Sequence, residues 1–266
     1  MIPRITTVIP TYNQEGYIAT AIESAVSQIG RFDHEILVSS DGSTDGTRSI
    51  IAEWCRRHPG LVKDVSPQEN LGISRNFKSL FSQATGDYIA ILEGDDIWTD
   101  HEKLVKQLSF LQSKADCVMV FSKIVVKKLP SGEESFLPRQ ERLKDLLDGS
   151  DFLADPSMNL IANFSSCLFD GNLLRAVPER LYRGRFNEIA LAFYLERHGK
   201  IGFISEPMSV YHQHAAGVWT GSSREQQLRA GLATREMVLD VADERYHTAI
   251  ENIIQERYRK PLSTLG

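Results

Sequence analysis

Residues 86–98 of this chain read GDYIAILEGDDIW. Within this stretch, residues 88–92 are apolar and rich in β-forming side chains, a pattern typical of a strand that is buried on both faces. Three carboxylates, Glu93, Asp95 and Asp96, follow this strand directly. Because open α/β sheets bind their ligands at the carboxyl ends of the strands, these acids lie where a ligand site is expected.

The three carboxylates repel one another unless a positive charge lies among them. A divalent cation, Mn²⁺ or Mg²⁺, that is held by oxygen ligands and shared with a phosphate group would supply this charge. The alternative is an acidic turn that faces solvent after a core strand. The acidic cluster alone does not distinguish between these two interpretations.

Composition sets outer limits on the class of protein. The chain has 266 residues, 42% hydrophobic and 24% charged, which is ordinary for a soluble globular protein with one large α/β domain or a domain plus a subdomain. Its formal net charge of −5 argues against broad nucleic-acid binding. The three cysteines, Cys55, Cys117 and Cys167, lack a metal-binding spacing and indicate buried thiols in a reducing compartment.

The hydropathy pattern bears on location. No apolar run approaches the roughly 20 residues of a membrane span. Residues 1–4 lead straight into a strand, so we expect no signal peptide and a cytoplasmic protein.

Strands and helices alternate through the first 115 residues. Apolar patterns predict strands at 5–9, 35–38, 61–65 and 88–92, and helices at 17–29 and around Trp54, Phe81 and Leu108. Alternation with short loops is typical of a parallel sheet that is covered by helices.

The second half of the chain is less regular. Residues 130–132 predict a hairpin or a mobile loop. The remaining patterns predict strands at 117–126, 160–169, 201–204 and 208–212, and helices at 139–149, 188–197 and within 224–259.

Four loops of the first half are expected to meet at one edge of the sheet. Tyr12 can stack on a base, Asp41 can accept hydrogen bonds from a base or ribose, and Arg75 can reach a phosphate or ribose oxygen. Each has a structural alternative: a core-edge aromatic, a helix N-cap and a solvated helix residue, respectively. The four loops comprise residues 11–13, 41–43, 72–75 and 95–96.

The order of four motifs resembles the family 2 glycosyltransferases. These motifs are TTVIPTYN at 6–13, SSDGSTDGT at 39–47, NLGISRN at 70–76 and GDYIAILEGDDIW at 86–98. The resemblance implies the GT-A fold, an α/β architecture with a Rossmann-like, mostly parallel sheet covered by helices. It also implies a metal-binding DxD-like motif, which this chain carries as EGDD.

The same resemblance implies a division of the chain. A GT-A domain would cover 1–222, with a nucleotide-sugar-binding half at 1–115 and an acceptor-binding half at 116–222. A C-terminal helical extension would cover 223–266.

The resemblance also assigns expected roles to the motif residues. Asp96 is the expected metal ligand, and Asp95 is expected to contact the donor. The other expected donor-nucleotide contacts are Pro10, Thr11, Tyr12, Asn13, Glu15, Asp41, Gly72 and Arg75.

The resemblance continues more loosely into the second half. Glu188 stands where relatives place a catalytic Asp, and Glu can abstract the same proton with one more methylene of reach. The sequence YHQH at 211–214 looks like a YRxH element, with His212 where Arg is common. His214 keeps the histidine of that element, which implies a second metal or pyrophosphate ligand.

Together these features predict a metal-dependent inverting glycosyltransferase. We expect it to move one sugar from a nucleotide-diphosphate sugar, most often a UDP-sugar, to a hydroxyl of a glycan or lipid-linked acceptor in bacterial surface polysaccharide synthesis. The chain has no QxxRW motif, which argues against a processive synthase. The alternatives are a sugar nucleotidyltransferase, which would be expected to carry a glycine-rich basic loop near its start, and a non-catalytic nucleotide-sugar-binding protein.

Other features allow two interpretations each. Trp98 lines the donor-sugar or acceptor pocket, or anchors its loop in the core. Residues 215–221, with Trp219, form a lid or a packed connector. A basic group near the C-terminus touches anionic lipid at the inner face of the membrane, or ends a solvated helix: Arg257, Arg259 and Lys260. The sequence leaves the oligomeric state open, a dimer included.

Overall fold

The computed structural model describes residues 2–140, 143–213 and 223–264. Its strands are β1 (Arg4–Thr11), β2 (Asp33–Ser40), β3 (Val62–Asp64), β4 (Tyr88–Ile91), β5 (Ile97–Trp98), β6 (Cys117–Lys128), β7 (Glu134–Leu137), β8 (Leu146–Leu147), β9 (Cys167–Asp170) and β10 (Lys200–Gln213). Its α-helices are α1 (Ile18–Val26), α2 (Thr47–Arg57), α3 (Ile73–Gln83), α4 (Lys103–Ser113), α5 (Gly149–Ala154), α6 (Gly171–Arg175), α7 (Glu188–Glu196), α8 (Arg224–Val241), α9 (His247–Ile254) and α10 (Lys260–Ser263).

One mixed sheet contains all ten strands of the described chain. Eight of them follow the order β3-β2-β1-β4-β9-β6-β10-β5, while β7 pairs with β6 and β8 pairs with β10. β1, β2, β3 and β4 are mutually parallel, as predicted. β9 runs antiparallel to both of its neighbours, β4 and β6. The fold is therefore α/β with a mostly parallel first half, which confirms the predicted fold class.

β4 places the acidic motif at the edge of this sheet. Its residues pair in parallel with β1, with Ile91 opposite Val8, and the backbone N–H of Leu92 donates to the Val8 carbonyl. Both strands are buried, because helices cover the two faces of the sheet. The loops that follow β1, β2 and β4 consequently lie together at the carboxyl edge.

Two apolar clusters fill the space on the two sides of the sheet. One contains inward residues of α1, α2 and α4, such as Ile22, Ile51 and Leu108. The other contains α3 and α7 residues, such as Phe77 and Phe193, together with residues from α8 and α9. The helical spacing of apolar residues that the sequence shows is therefore used for burial on both faces.

Two predictions for the second half are wrong. Residues 160–166 are not a strand: Ala162 has φ 66°, and the Asn163 side chain accepts the Ser165 N–H at 2.6 Å to cap a 3₁₀ turn at Phe164–Ser166. Only the last part of the predicted strand is extended, as β9.

The described residues of the predicted helix at 139–149 are also not helical before Gly149. Residues 146–147 form β8, and the helix begins at Gly149, where Asp148 caps it by accepting the Ser150 N–H at 3.0 Å. The two short strands predicted within 201–212 are one strand, β10, which is interrupted by register shifts. The segment around residues 130–132 is the turn of a β6–β7 hairpin, the first of its two predicted alternatives.

The C-terminal helices pack on the α/β body. Val238, Val241, Ile250 and Ile254 are buried in the same apolar cluster as α7. A π-helical turn at Gln255–Arg259 joins α9 to α10. Within the described ranges, none of the helices has the length and apolar character that a membrane span needs.

Candidate active site

The loops after β1 and β2 are joined by hydrogen bonds. Asn13, at φ 50°, donates its backbone N–H to the Ser43 hydroxyl at 2.9 Å and accepts the Thr44 N–H on its side chain at 2.8 Å. The Glu15 carboxylate accepts the Gly46 N–H at 2.6 Å. Asn13 and Glu15 were expected to contact the donor. In the structure both residues make hydrogen bonds that hold these two loops together.

Asp41 joins these loops to the turn before α3. Its backbone N–H donates to the Thr11 carbonyl at 2.9 Å, and its buried carboxylate accepts the Leu71 N–H at 2.7 Å. The start of α2 is served by a different acid, Asp45, whose carboxylate accepts the Thr47 N–H at 3.1 Å. Asp41 is therefore not the N-cap of α2 that one alternative suggested.

Several predicted nucleotide contacts face this edge. The Tyr12 ring is 51% exposed, and Arg75 is exposed without a hydrogen bond or ion pair to any other described residue. Gly72 starts α3 with φ 80°, a conformation that favours glycine. The Pro10 carbonyl accepts the Gly94 N–H at 3.1 Å, which joins the first loop to the acidic motif.

Asp96 is buried at the centre of the acidic motif, with 1% of its surface exposed. The Ser165 hydroxyl donates to its Oδ2 at 2.6 Å, and the His212 backbone N–H donates to its Oδ1 at 3.2 Å. Burial, together with the charge of Asp95, raises the pKa of Asp96 to about 8. The protein holds this carboxyl where a negative charge is costly unless a cation compensates it.

Glu93 belongs to the same cluster. Burial and the charges of Asp96, Asp95 and Glu188 raise its pKa well above the ordinary value. The Asn163 amide donates to its Oε2 at 2.7 Å. The side chain of Glu93 is therefore part of the same buried acidic cluster as Asp96.

The donor set at this edge fits a hard divalent cation only in part. Carboxylate oxygens are the ligands that Mg²⁺ and Mn²⁺ prefer, and the mutual repulsion of the acids would be relieved by such an ion. Among the residues that the structure describes, no group of three or more His, Cys, Asp or Glu side chains is arranged to hold a metal. Asp96 would therefore hold such an ion only if phosphate oxygens of a bound donor supplied further ligands. The predicted second ligand, His214, lies outside the described residues.

Glu188 is the first residue of α7, and its carboxylate faces the same pocket. Asn187 caps the helix by accepting the Ala190 N–H at 2.9 Å, and the Asn159 amide donates to Glu188 Oε1 at 2.8 Å. Burial raises the pKa of Glu188, while Arg185 and Arg235 act in the opposite direction. The structure thus brings this acid from the second half close enough to influence the charge of Glu93.

Contacts between the two halves support this placement. The Ser74 hydroxyl, on the first turn of α3, donates to the Gly184 carbonyl at 2.6 Å and accepts the Phe186 N–H at 2.9 Å. The segment that leads into Glu188 is therefore attached to the helix that carries Arg75.

Of the two tryptophans predicted for the acceptor site or lid, the structure describes Trp98 and does not describe Trp219. Trp98 is 2% exposed, and its ring N–H donates to the Ser165 carbonyl at 2.7 Å. The Lys103 ammonium lies 4.4 Å from the centre of its ring. This burial agrees with the alternative in which Trp98 anchors its loop and disagrees with a pocket-lining role. Trp219 and the proposed lid at 215–221 lie outside the described residues.

The basic residues near the C-terminus have protein partners. Arg257 donates to the Pro156 carbonyl at 2.6 Å, Arg259 pairs with Glu236 and Lys260 pairs with Glu256. These contacts favour the helix-end alternative over contact with lipid.

Three polar residues of the pocket were not predicted from the sequence: Asn159, Asn163 and Ser165. All three lie in or next to the stretch that was predicted as a strand, where they interrupt an apolar pattern. Their polar side chains at positions expected to be buried were the available signal, because a buried polar group requires a partner.

Solved structures define the class of this fold. The mannosyltransferase PcManGT from Pyrobaculum calidifontis, in complex with GDP-Man and Mn²⁺, superimposes with a TM-score of 0.68 at 19% identity and covers 99% of this chain and 73% of its own. TarS from S. aureus in complex with UDP-GlcNAc gives a TM-score of 0.66 at 17% identity, covering 94% and 70%. At this level of identity the likeness shows the fold, which is GT-A-like.

The family follows from the sequence match. The family model described as Glycosyl transferase family 2 matches residues 6–161, and the chain belongs to that family. The uncharacterized protein Rv1520 of Mycobacterium tuberculosis is 32% identical over an alignment of 245 residues that covers 87% of this chain and 66% of that protein. This chain thus spans just under two thirds of the length of that relative.

A second relative carries a more specific name. TuaG of Bacillus subtilis, which has a provisional assignment as a teichuronic acid biosynthesis glycosyltransferase, is 31% identical over 120 residues, covering 45% of this chain and 46% of its own. Both relatives support the family membership that the four ordered motifs predict.

Proposed function

We propose that this protein is a metal-dependent, inverting and non-processive glycosyltransferase. It transfers one sugar from a nucleotide-diphosphate sugar, with UDP-sugars as the preferred class, to a hydroxyl of a glycan or lipid-linked acceptor. The observation that carries this proposal is that the Glu188 carboxylate lies near enough to Glu93, in the motif that also carries Asp96, to raise the pKa of Glu93. A base and a donor-phosphate site then share one pocket, as displacement at an anomeric carbon requires.

The first-half loops would bind the donor. Tyr12 offers an exposed ring for stacking on the base. Asp41 organises the base and ribose pocket through its bonds to Thr11 and Leu71. Arg75 presents a guanidinium without a described protein partner, which suits a ribose or phosphate oxygen. Pro10 and Gly72 shape the backbone around this pocket, and Asp95 contacts the donor.

Glu188 would act as the general base. It takes the proton from the acceptor hydroxyl as that oxygen attacks the anomeric carbon on the face opposite to the leaving diphosphate, which inverts the configuration. A raised pKa makes its carboxylate a stronger base than an ordinary glutamate. The Asn159 amide orients it through Oε1 at 2.8 Å.

Asp96 would hold the metal ion, with His214 as the second ligand expected from the sequence. When bound, a divalent cation supplies positive charge for the departing nucleoside diphosphate. The protein orients Asp96 through Ser165 and the His212 backbone.

Surface polysaccharide synthesis is the proposed setting. The support is the name of the relative TuaG, since similarity of fold alone does not specify an acceptor. The absence of the QxxRW motif supports the transfer of single residues.

Ligand-dependent stability tests donor binding. The melting temperature is measured with UDP, GDP, dTDP and their sugar conjugates, each with and without Mn²⁺. Because a ligand that binds only the folded state stabilises it, we expect UDP compounds to raise the melting temperature by several degrees in the presence of Mn²⁺. A protein that no nucleotide stabilises, or one for which the metal makes no difference, would contradict the proposal.

The Glu188→Gln variant tests turnover. We expect it to keep the nucleotide-induced shift and to lose sugar transfer or donor hydrolysis by about 10²–10⁴-fold. The matched control is Glu225→Gln, which changes an exposed first-turn acid of α8 that pairs with Arg229. Binding without turnover in the wild type would instead identify a non-catalytic nucleotide-sugar-binding protein.

A further inference from the structure

One loop supplies amide donors to both sides of the pocket. We define the asparagine loop as residues 155–163, which connect α5 to the 3₁₀ turn before β9. Asn159 donates to Glu188 Oε1 at 2.8 Å, and Asn163 donates to Glu93 Oε2 at 2.7 Å. Because the two amides come from the same loop, its conformation fixes the relative orientation of these two carboxylates.

The backbone of the asparagine loop adopts an unfavourable conformation. Met158 and Ala162 have φ values of 53° and 66°, in the left-handed region that side chains with a Cβ atom disfavour. Such conformations persist only where surrounding contacts hold them, and they concentrate at functional sites. Contacts from outside the loop are therefore needed to maintain it.

Two arginines from the C-terminal helices supply these contacts. The Arg235 guanidinium, on α8, donates to the Ser157 carbonyl, and Arg257, in the π-helical turn, donates to the Pro156 carbonyl at 2.6 Å. The asparagine loop is thus held at two consecutive carbonyls.

Arg235 is itself held rigidly. Its side chain is 8% exposed and lies 5.2 Å from the centre of the Tyr258 ring. Gly231, one turn earlier on α8, allows this ring to approach closely, because an added Cβ atom would lie 2.3 Å from Tyr258 Cε1. Among the described residues, Arg235 Nε has no hydrogen-bond partner. A buried guanidinium with an incomplete set of partners is costly for folding alone, which points to a role in the site.

We infer that Arg235 is a positioning residue for Glu188, which it serves by holding the Ser157 carbonyl and thereby the Asn159 amide. The inference rests on the proposed function, in which Glu188 is the base. Residues 223–264, which lie beyond the part that matches the family model, would thus contribute to the catalytic geometry.

The charge of Arg235 has a second effect on the same carboxylate. Burial raises the pKa of Glu188, and Asn159, Arg185 and Arg235 each lower it. Among the described residues, three other ionisable groups are coupled to Glu188: Glu93 in the loop after β4, Cys167 of β9 and Tyr211 of β10. The negative charge of Glu188 raises the pKa of each of them. Loss of Arg235 would therefore raise the pKa of Glu188.

The test compares Arg235→Met, Arg235→Lys and Asn159→Ala with the wild type. The matched control is Arg229→Met, because Arg229 lies on the same helix but is exposed and pairs with Glu225. Sugar transfer or donor hydrolysis is measured from pH 4 to 9, and UDP binding is measured by thermal shift.

We expect Arg235→Met and Asn159→Ala to lower kcat about tenfold at pH 7 and to move the acid limb of kcat/KM to higher pH, with donor KM nearly unchanged. In Arg235→Lys, which keeps the positive charge, the acid limb of kcat/KM should lie close to its wild-type pH. Because Arg235 orients Glu188 only through the Asn159 amide, the double variant should have a kcat no lower than that of the poorer single variant, while the direct charge effect of Arg235 moves its acid limb further. If kcat falls only in proportion to the unfolded fraction with the acid limb unmoved, or if the two losses of kcat add in the double variant, Arg235 is structural and the inference is wrong.

A measurement without turnover separates this inference from the proposed function. The Glu188 carboxyl is titrated by ¹³C NMR and assigned with Glu188→Gln. We expect a higher pKa in Arg235→Met than in the wild type, and an unchanged titration would overturn the inference even if the wild type proves active. If Arg235→Met does not fold, the same titration in Arg235→Gln, which also removes the charge, gives the answer, with the same expected direction.

Discussion

Ser165 organises the acidic pocket through a single hydroxyl group. It is fully buried, accepts the Glu93 backbone N–H at 2.9 Å and donates to Asp96 Oδ2 at 2.6 Å. A hydrogen bond to a buried carboxylate is stronger than one between neutral groups. One side chain therefore fixes both the turn after β4 and the orientation of the proposed metal ligand.

Replacement of this serine should affect both stability and ligand binding. In Ser165→Ala, two buried groups lose their partner, so we expect the free energy of unfolding to fall by about 1–3 kcal/mol in urea denaturation. The Mn²⁺-dependent thermal shift with UDP should also shrink, because Asp96 is no longer held.

The neighbouring serine provides the control for this prediction. Ser166 is equally buried, but its hydroxyl donates to the Asn163 backbone carbonyl at 2.8 Å. Ser166→Ala should destabilise the protein without a selective loss of the metal-dependent shift. Equal losses of that shift in both variants would show that the Ser165 bond to Asp96 has no specific role.

Glu35 connects elements at the opposite end of the sheet from the pocket. Its carboxylate, on β2, accepts hydrogen bonds from Thr6 of β1, from Lys63 of β3 and from the backbone and side chain of Thr85 before β4. Burial raises the pKa of Glu35, but these bonds outweigh it and lower the pKa to about 2. The parallel strands are thus joined by one ionised side chain.

This junction should make stability depend on pH in a defined window. Because the folded pKa is below the ordinary value of 4.5, the stabilisation is present above pH 4.5 and is lost as the pH falls toward 2. At pH 7 we expect Glu35→Gln to cost on the order of 2 kcal/mol in urea denaturation.

The same comparison at low pH tests the cause. Near pH 2.5 the difference in stability between the wild type and Glu35→Gln should shrink to well under half of its value at pH 7, since Glu35 is then almost fully protonated in the unfolded chain and partly protonated in the fold. The control is Glu53→Gln on α2, a half-exposed i,i+4 partner of Arg57, which should change stability little at either pH. A constant difference between wild type and Glu35→Gln across this range would contradict the assignment.

The elements that sequence analysis located are those with local signals. β1, β2 and β4 are apolar runs with turn residues after them, and the acids at the end of β4 follow from the same rule. The 3₁₀ turn before β9 was missed because its backbone is set by a side-chain cap at Asn163 and a left-handed Ala162. A run of apolar residues indicates burial. It does not distinguish a buried loop from a buried strand, because both contain such runs.

The pocket residues that were missed act over long separations in sequence. Asn159 and Glu188 are 29 residues apart, and Ser165 and Asp96 are 69 residues apart. Only the insertion of β9 between β4 and β6 brings the loop before β9 to the acidic motif. Lys103, which is buried against Trp98 with its pKa lowered by burial to about 7, could not be distinguished from a solvated helix lysine in the sequence.

The C-terminal helices and the α/β body share one apolar core in the described chain. Tyr246 packs edge-on against Phe193 of α7, and Gly149 lies against the Tyr246 ring, where a Cβ atom would approach to 2.4 Å. The Arg245 guanidinium pairs with the buried Glu196 at 2.6 Å. We therefore propose that residues 223–264 form a structural part of the GT-A body and fold together with it.

A core substitution in α9 tests this proposal for the whole molecule. Ile250 is fully buried in the shared core. We expect Ile250→Ala to lower the free energy of unfolding by about 2–5 kcal/mol and to keep a single transition.

Trp98 fluorescence, in a background with Trp54 and Trp219 changed to Phe, reports on the α/β body, and helical circular dichroism reports on the entire chain. The two melting curves should coincide in the wild type and shift together in the variant. The exposed Thr234→Ala should leave both curves within about 0.5 kcal/mol of the wild type. A loss of helical signal that precedes the change in Trp98 fluorescence would show that the C-terminal helices unfold independently.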